Sequence, residues 1–506
     1  MKRLKIFILC ILGLIQASAQ EPALTLDKCF NMALEHNQKI KMAQQQLGAA
    51  TELSKAGRSL YLPQISINGS YTHVGKNYKY DLTIPEITLP VGELDGNGNW
   101  TLPVSMWANQ WATLPNGATV PLDAEGNPFD PNTNPEKVIP KEWAYLPETP
   151  YSLETNFNDI ITANAGLVQP IYTGGKIKET NNILKHTQQV AGAKVNLQES
   201  DILYETEQAY WRIVAVSEKV KLARQSGEML DALVTRLENL YNEGLVTQND
   251  VLKARVKQNE IKLNIQKAEN GLKLSQMALC QLIGLPLYNQ VFIADTVINV
   301  ENVASSDTTL AQGAIAKRPE IEILNHSVGI AESTVGLMKS RFLPNVIATA
   351  NYLVTNPNPY NSLAHEFGGD WNAGVVVNIP VFHFGDKKHT LEAAKHEAEA
   401  SRLKLEEAKE MITLQIQQLT YKGSESVIKV ELAEKTVQQA EKNLSMAKAN
   451  FDEGTITTTD LLEAQTLWQK AMSDYIEAKT EYKTNLSELK KALGELTKEN
   501  ITNNTK

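Results

Sequence analysis

One fourteen-residue phrase occurs twice in this chain, and the repetition limits the folds that the chain can adopt. The phrase "YNEGLVTQNDVLKA" occupies residues 241–254, and "FDEGTITTTDLLEA" occupies residues 451–464, 210 positions later. Two further pairs follow the same order along the chain: "SLYLPQI" with "SRFLPNV", and "NAGLVQPIYTGGK" with "NAGVVVNIPVFHFGDK". Ordered self-similarity of this kind predicts an internal tandem duplication of a unit of roughly 210 residues.

The two copies differ in one insertion. The "LP" landmarks lie 281 positions apart, whereas Pro170 and Pro380 lie 210 apart, so the first copy carries about 71 extra residues after Pro63. These offsets predict a first repeat at 20–297 with an insertion at 76–157, and a second repeat at 298–497. A signal peptide is predicted at 1–19 and a short polar tail at 498–506.

Each repeat contains two segments in which apolar residues alternate with polar or small ones. Val346, Ala348 and Ala350 alternate in this way after the "FLP" landmark. A period of two is typical of strands with one apolar face. The predicted strands cover about 64–75, 158–171, 345–356 and 371–382.

Long helices are predicted for most of the remainder. Apolar and small residues recur at alternating spacings of three and four, as in Val430, Ala433, Val437 and Ala440. This heptad pattern indicates helices packed side by side. The predicted hairpins cover 176–284 and 384–497, and at 1.5 Å per residue each long arm could span about 100 Å.

The repeated phrase predicts a turn at the tip of each hairpin. Gly244 is placed where a helix ends in a left-handed residue. Thr247 and Asp250 have the spacing of a capping box that opens the next helix, with Asp in place of Glu or Gln. The second tip has the same arrangement at Gly454, Thr457 and Asp460.

The N-terminus and the charge balance predict an exported protein that does not bind nucleic acid. A basic start, an apolar run and "ASA" at 17–19 are typical of a cleaved signal peptide. Its removal leaves 46 basic and 58 acidic residues, which argues against nucleic acid as a partner. No later segment reaches 18 apolar residues, so no transmembrane helix is predicted. Cys29 and Cys280 could form a disulfide, but buried free thiols are the favoured interpretation.

Two other classes of protein fit the sequence less well. An enzyme is not supported, because the histidines are scattered and "YTGGK" lacks the glycine spacing of a phosphate loop. Neither a cofactor nor a metal site is predicted. An exported coiled-coil scaffold without a channel is compatible with the heptads, but the four amphipathic strands make it the weaker alternative.

Four strands cannot close a barrel by themselves. The unpaired N–H and C=O groups of an open sheet edge cannot face lipid, and about eight strands form the smallest membrane barrels. If these strands span a membrane, several copies of the chain must contribute to one barrel.

The duplicated unit, the "YLP" and "FLP" landmarks and the two "EG…D" tips resemble the TolC-type outer-membrane factors, the exit ducts of tripartite efflux pumps and type I secretion systems. The resemblance implies a mainly α fold with a membrane β-barrel: a homotrimer in outer-membrane lipid, with a shared twelve-stranded barrel and a periplasmic α-helical barrel. It further implies passive transport, with a periplasmic adaptor protein and an inner-membrane transporter as partners. The cargo, whether drugs, metals or proteins, does not follow from it.

The resemblance also implies roles for particular residues. The adaptor-docking positions at the tips correspond to Gly244, Leu245, Thr247, Asp250, Gly454, Thr455 and Thr457. The acidic constriction of the periplasmic mouth corresponds to Asp460 and Glu463. For Asp460, a capping role is the alternative. A threefold axis would turn the two residues into rings of carboxylates that attract cations.

The chain departs from the family at the polar lock that holds the mouth closed. The family joins a Tyr and an Arg of the second tip to an Asp of the first tip, which corresponds to Asp250. The other two positions hold Phe451 and Ile456, whose side chains donate no hydrogen bonds. The resemblance therefore supports the constriction better than it supports the lock.

The insertion at 76–157 lies where the family has an extracellular loop. It is rich in proline, glycine and tryptophan, which predicts turns rather than long helices. An ordered cap that packs on itself and on neighbouring protomers is favoured, and a lid or a contact for an external partner or glycan is the alternative.

Overall fold

The computed structural model describes residues 23–76, 78–155, 158–300 and 309–504. The predicted signal peptide at 1–19 lies outside these ranges. The first repeat contains, in order, α1 (Leu26–His36), α2 (Gln38–Ser59), β1 (Gln64–His73), β2 (Tyr78–Ile84), β3 (Ile87–Pro90), β4 (Glu93–Leu94), β5 (Trp100–Thr101), β6 (Trp111–Thr113), β7 (Thr119–Pro121), β8 (Trp143–Leu146), β9 (Thr149–Thr155), β10 (Asp159–Tyr172), α3 (Lys176–Asn242) and α4 (Gln248–Ile283). The second repeat contains α5 (Thr309–Lys317), α6 (Pro319–Ser340), β11 (Asn345–Asn356), β12 (Gly368–Asn378), α7 (Asp386–Asp452) and α8 (Thr458–Ala492), and α9 (Lys498–Asn504) follows it.

Several bounds of strands and helices differ from the sequence-based ones. The second hairpin covers 386–492 rather than 384–497. Strand β12 covers 368–378 rather than 371–382, and it ends before Pro380, which has no N–H to donate to a sheet ladder. Strand β1 ends at His73 rather than at residue 75. The predicted polar tail contains the helix α9.

The described chain divides into two compact units, of which one contains the helices. Helices α3 and α7 are each 67 residues long, and each is followed by an antiparallel partner of the same repeat. One core cluster combines buried residues of α1, α3, α4, α7 and α8, including Ile202, Leu237 and Trp468. No helix in the described ranges combines the length and the apolar character that crossing a membrane requires.

In the described part of the chain, Cys29 and Cys280 are buried free thiols, in agreement with the favoured sequence-based interpretation. Burial raises the pKa of the Cys29 thiol to about 12, and burial also raises the pKa of Cys280. A thiol with a raised pKa carries almost no thiolate at neutral pH, and the thiolate is the form that reacts.

We therefore expect both thiols to resist alkylation by iodoacetamide at pH 8 in the native protein and to react fully after denaturation in urea. Peptide mass spectrometry measures the modified fraction at each cysteine. Rapid modification of Cys29 in the native protein would contradict the burial of helix α1 in this core.

The second unit contains most of a four-stranded sheet with the order β1–β10–β11–β12. Strand β1 pairs antiparallel with β10, from Gln64 opposite Val168 to His73 opposite Asp159. Strands β1 and β12 are the two edges within one chain. The β1 side chains are exposed, including the alternating residues Ile65 and Ile67. Apolar side chains and open edges together indicate that the sheet is covered and extended by something outside the single chain.

The insertion is built from two-stranded ladders. Strand β2 pairs with β9, β3 with β8, β4 with β5, and β6 with β7. Aspartates fix the tight turns: Asp95 accepts hydrogen bonds from the amides of Asn97 and Asn99, at 2.9 and 2.8 Å. The described part of the insertion contains short strands and 3-10 turns and no long helix, as its proline and glycine content predicts.

Candidate functional site

The first hairpin tip turns at a glycine in the left-handed conformation. Gly244 has φ +76°. Its amide donates to the carbonyl of Tyr241, and the Leu245 amide donates to the carbonyl of Leu240, both at 2.9 Å. These two bonds form a Schellman motif, which satisfies the last carbonyls of α3. Residues with a Cβ disfavour this φ, so the turn depends on glycine.

The second tip repeats this geometry. Gly454 has φ +72°. Its amide donates to the Phe451 carbonyl at 3.1 Å, and the Thr455 amide donates to the Asn450 carbonyl at 2.9 Å. The Thr455 hydroxyl donates to the same carbonyl, also at 2.9 Å. The duplicated sequence phrase is therefore a duplicated structural turn.

Both predicted capping boxes are confirmed. At the first tip, the Asp250 amide donates to Thr247 Oγ1 at 3.3 Å, and Asp250 Oδ2 accepts from the Thr247 amide at 3.2 Å. At the second tip, the Asp460 amide donates to Thr457 Oγ1 at 3.3 Å, and Asp460 Oδ2 accepts from the Thr457 amide at 2.9 Å. Each box satisfies two donors at the start of the helix that leaves the tip.

Asp460 and Glu463 lie three positions apart at the start of α8, and both are exposed. That spacing puts their side chains on one side of the helix. Hydrogen bonds from the hydroxyl and the amide of Thr457 hold the pKa of Asp460 below its usual value. The cap engages Oδ2 and leaves Oδ1 outside these bonds. Within the described ranges, Glu463 has no ion-pair partner. The structure therefore places both carboxylates, exposed, on one side of α8 next to the tip.

A groove of about 540 Å³ lies beside Glu463, between helices α4 and α8. Leu252 and Val256 line it and are exposed. Lys253 and Lys257 line it as well, so cations of the first hairpin lie near the Glu463 side of α8. The tip thus offers an apolar groove with charged rims.

The three positions of the family's lock make other contacts here. Phe451 is buried, with 9% of its surface exposed, and Ile456 packs against the same core cluster. The Asp250 carboxylate is engaged in its capping box. At the second tip, Phe451 and Ile456 thus make apolar contacts with the core.

Two contacts that sequence reasoning missed join the two hairpins near the tips. Arg236 of α3 forms an ion pair with Asp452 at the end of α7, and its guanidinium carbon lies 5.5 Å from the centre of the Phe451 ring. Lys253 of α4 donates to the hydroxyl of Thr459 in α8 at 3.2 Å. An Arg on the exposed side of a helix has no sequence signature, because its partner is 216 positions away.

A pair of histidines was missed for the same reason. His186 of α3 and His326 of α6 approach to 3.4 Å between their Nδ1 atoms, although 140 positions separate them. Among the described residues, no group of three or more His, Cys, Asp and Glu is arranged to hold a metal ion.

Comparison with known proteins places this geometry in a family. The model of the outer membrane efflux protein family matches residues 149–285 and 310–495, which together make up more than half of the chain. The outer membrane protein TolC of Vibrio cholerae is 21% identical over 383 residues, covering 72% of this chain and 86% of that protein. The alkaline protease secretion protein AprF of Pseudomonas aeruginosa is 23% identical over 293 residues, covering 57% of this chain and 60% of that protein.

A solved structure has the same fold. The CmeC outer membrane channel of Campylobacter jejuni superposes with a TM-score of 0.67 at 17% sequence identity, covering 95% of this chain and 88% of that chain. The duplicated strands and the capped tips of two long hairpins are those of a TolC-type channel protein. The chain belongs to the outer membrane efflux protein family. This confirms the fold class, the outer-membrane location with a large periplasmic portion, and the assignment as an exit duct for efflux or secretion.

Proposed function

We propose that three copies of the chain assemble into one conduit whose twelve strands close a barrel in the outer membrane. The observation that carries this proposal is the four-stranded sheet with open edges at β1 and β12. Such edges cannot face lipid, whereas pairing β12 of one copy with β1 of the next leaves no edge unpaired. Three copies give twelve strands, above the smallest number found in membrane barrels.

The long hairpins form the periplasmic part of this conduit. Helices α3 and α7 have 67 residues each, which corresponds to a length of about 100 Å. Six such hairpins around a threefold axis enclose a tunnel. Transport through it is passive, without catalysis or a cofactor, and an inner-membrane transporter supplies the energy.

The hairpin tips dock the periplasmic adaptor protein. The tip positions combine rigid turns at Gly244 and Gly454 with exposed side chains. Leu245 leaves 68% of its surface exposed, and the neighbouring groove between α4 and α8 is lined by Leu252 and Val256. Apolar surface with polar rims is typical of a protein interface. Thr247, Asp250, Thr455 and Thr457 set the turns that present this surface.

Asp460 and Glu463 form the constriction of the periplasmic mouth in this proposal. Three copies give two rings of three carboxylates, which raise the local cation concentration. The names of the relatives include protease secretion and cobalt, zinc and cadmium resistance. Because such different cargoes occur among relatives, the fold does not specify the cargo of this chain.

Ionic conduction tests the duct against its rival, a coiled-coil scaffold without a channel. The purified membrane-extracted protein is added to a planar bilayer, and single-channel current is recorded. The proposal predicts discrete, cation-preferring steps. A protein that inserts without conducting, or that washes off the membrane in carbonate, would favour the scaffold.

The contact of Arg236 with Asp452 and Phe451 is expected to hold the tips of the two hairpins together. Exposed ion pairs and cation–π contacts are each worth about 0.2–1 kcal/mol. Arg236→Ala is therefore expected to raise the open probability in the bilayer about two- to thirtyfold. The matched control is Arg255→Ala, which removes an ion pair with Glu238 inside the first hairpin. Equal effects of the two changes would mean that the contact between hairpins does not restrain opening.

A further inference from the structure

The insertion carries an exposed apolar surface with no counterpart in the second repeat. We define the aromatic ribbon as the paired strands β2–β9 and β3–β8, residues 78–90 and 143–155. Where the structure describes them, its large apolar side chains leave between 39% and 59% of their surface exposed, and they include Ile84, Ile87, Leu89, Trp143, Tyr145 and Tyr151. A two-stranded ribbon is at best marginally stable alone in water, so a covering surface is needed.

Both faces of the β3–β8 part of the ribbon are apolar. Leu89 pairs with Ala144, so these two side chains share one face. Trp143 and Tyr145 flank Ala144 in β8 and therefore lie on the opposite face. One helix or loop could cover a single face, whereas two apolar faces on a thin ribbon require surfaces on both sides.

Lipid is a poor cover for this ribbon. Asp81, Glu86 and Glu148 lie within it and are exposed. Charged side chains are costly in the hydrocarbon region. The ribbon also has two open backbone edges, which lipid cannot satisfy. The cover must therefore be a surface that offers both apolar contact and hydrogen bonds, as a protein does.

The position of the ribbon in the chain indicates which protein surface covers it. The ribbon continues from β1 and returns into β10, and β1 is an open edge of the four-stranded sheet. In the proposed trimer, the neighbouring copy pairs its β12 with this edge and therefore lies beside the ribbon. We propose that the aromatic ribbon packs against the neighbouring copy of this chain and is a second interface of the assembly. This inference rests on the proposed trimer.

Photo-crosslinking in the full-length protein tests the contact. Tyr145 or Trp143 is replaced by p-benzoylphenylalanine, and cells are irradiated before membranes are extracted. We expect bands at two and three times the mass of the chain, with crosslinked peptides from this chain on both sides. The same probe at Tyr288, an exposed aromatic outside the insertion, is the matched control and is expected to leave monomers on a denaturing gel.

Stability gives a second readout. The double variant Leu89→Ser with Tyr145→Ser is expected to lower the temperature at which the extracted trimer dissociates. The control is Leu94→Ser, which changes an exposed leucine elsewhere in the insertion and is expected to leave that temperature unchanged. If the protein is an intact trimer but the probe crosslinks to another protein or to lipopolysaccharide, the ribbon interface is contradicted and the proposed duct is not. A protein that is monomeric without any substitution would overturn the proposed trimer itself.

Discussion

Replacing Asp460 with Asn and Glu463 with Gln is expected to remove most of the cation preference of the channel. Six carboxylates disappear from the proposed constriction of a trimer. Rings of like charge in a narrow mouth concentrate counter-ions about tenfold or more. We therefore expect the ratio of potassium to chloride permeability to fall about tenfold. The reversal potential in a salt gradient across a planar bilayer measures this ratio.

The chain offers a matched control for that experiment. Asp250→Asn makes the same chemical change in the same capping geometry, at the other tip. An amide oxygen can still accept the cap hydrogen bonds in both variants. Selectivity should therefore survive Asp250→Asn. An equal loss in both variants would assign the effect to tip geometry, and an unchanged ratio in the double variant would show that these carboxylates do not line the constriction.

The same carboxylates give a pH dependence. The hydrogen bonds from Thr457 lower the pKa of the Asp460 carboxyl. The carboxylate is therefore charged at every pH above that lowered pKa, and it loses its charge as the pH falls through it. Cation preference in a Glu463→Gln background should therefore persist at pH values where an ordinary aspartate is half protonated. Substituting Ser for Thr457 keeps a hydroxyl cap, whereas Thr457→Ala removes it and should move the loss of selectivity to higher pH.

A valine at Gly244 or Gly454 is expected to abolish assembly with the adaptor while leaving the outer-membrane trimer largely intact. A Cβ at either position would meet open space, so no clash opposes the change. The cost comes from the positive φ of +76° and +72°, which a β-branched residue avoids. A residue forced into this region costs about 1–3 kcal/mol, and the tip relieves that cost by refolding its turn.

Co-purification of the adaptor with the trimer measures docking, and heat-resistant trimer in the extracted membrane measures folding. Asparagine tolerates the left-handed region, so Gly454→Asn is the rescue variant and should retain docking. If Gly454→Val lowers the amount of heat-resistant trimer as much as it lowers the co-purified adaptor, the glycine serves the folding of the hairpin and not docking.

The duplication made most of the fold predictable. The alternating strands and the heptad helices have periods that a sequence displays directly, and the capping boxes use short-range hydrogen bonds between residues three positions apart. The helix pair before the strands in each repeat, α1 with α2 and α5 with α6, received no bounds from the sequence patterns. Local caps such as Thr25 and Asn37 could have indicated α1 and α2, because each accepts a backbone hydrogen bond at a helix start.

Contacts between distant segments were not predictable. The ion pair of Arg236 with Asp452 and the pair of His186 with His326 join residues far apart in sequence. Pairing of the ribbon strands depends on register across the turn-rich insertion, which proline and glycine content does not specify. Asp460 and Glu463 were assigned to the constriction because the tip sequences resemble a family. Their roles in this chain stay predictions.

Native mass spectrometry of the detergent-extracted membrane protein tests the central claim most directly. The proposed conduit predicts a species of three chains, whose twelve strands close one barrel without an unpaired edge. A monomer, or a protein recovered only from the soluble periplasm, would contradict the conduit.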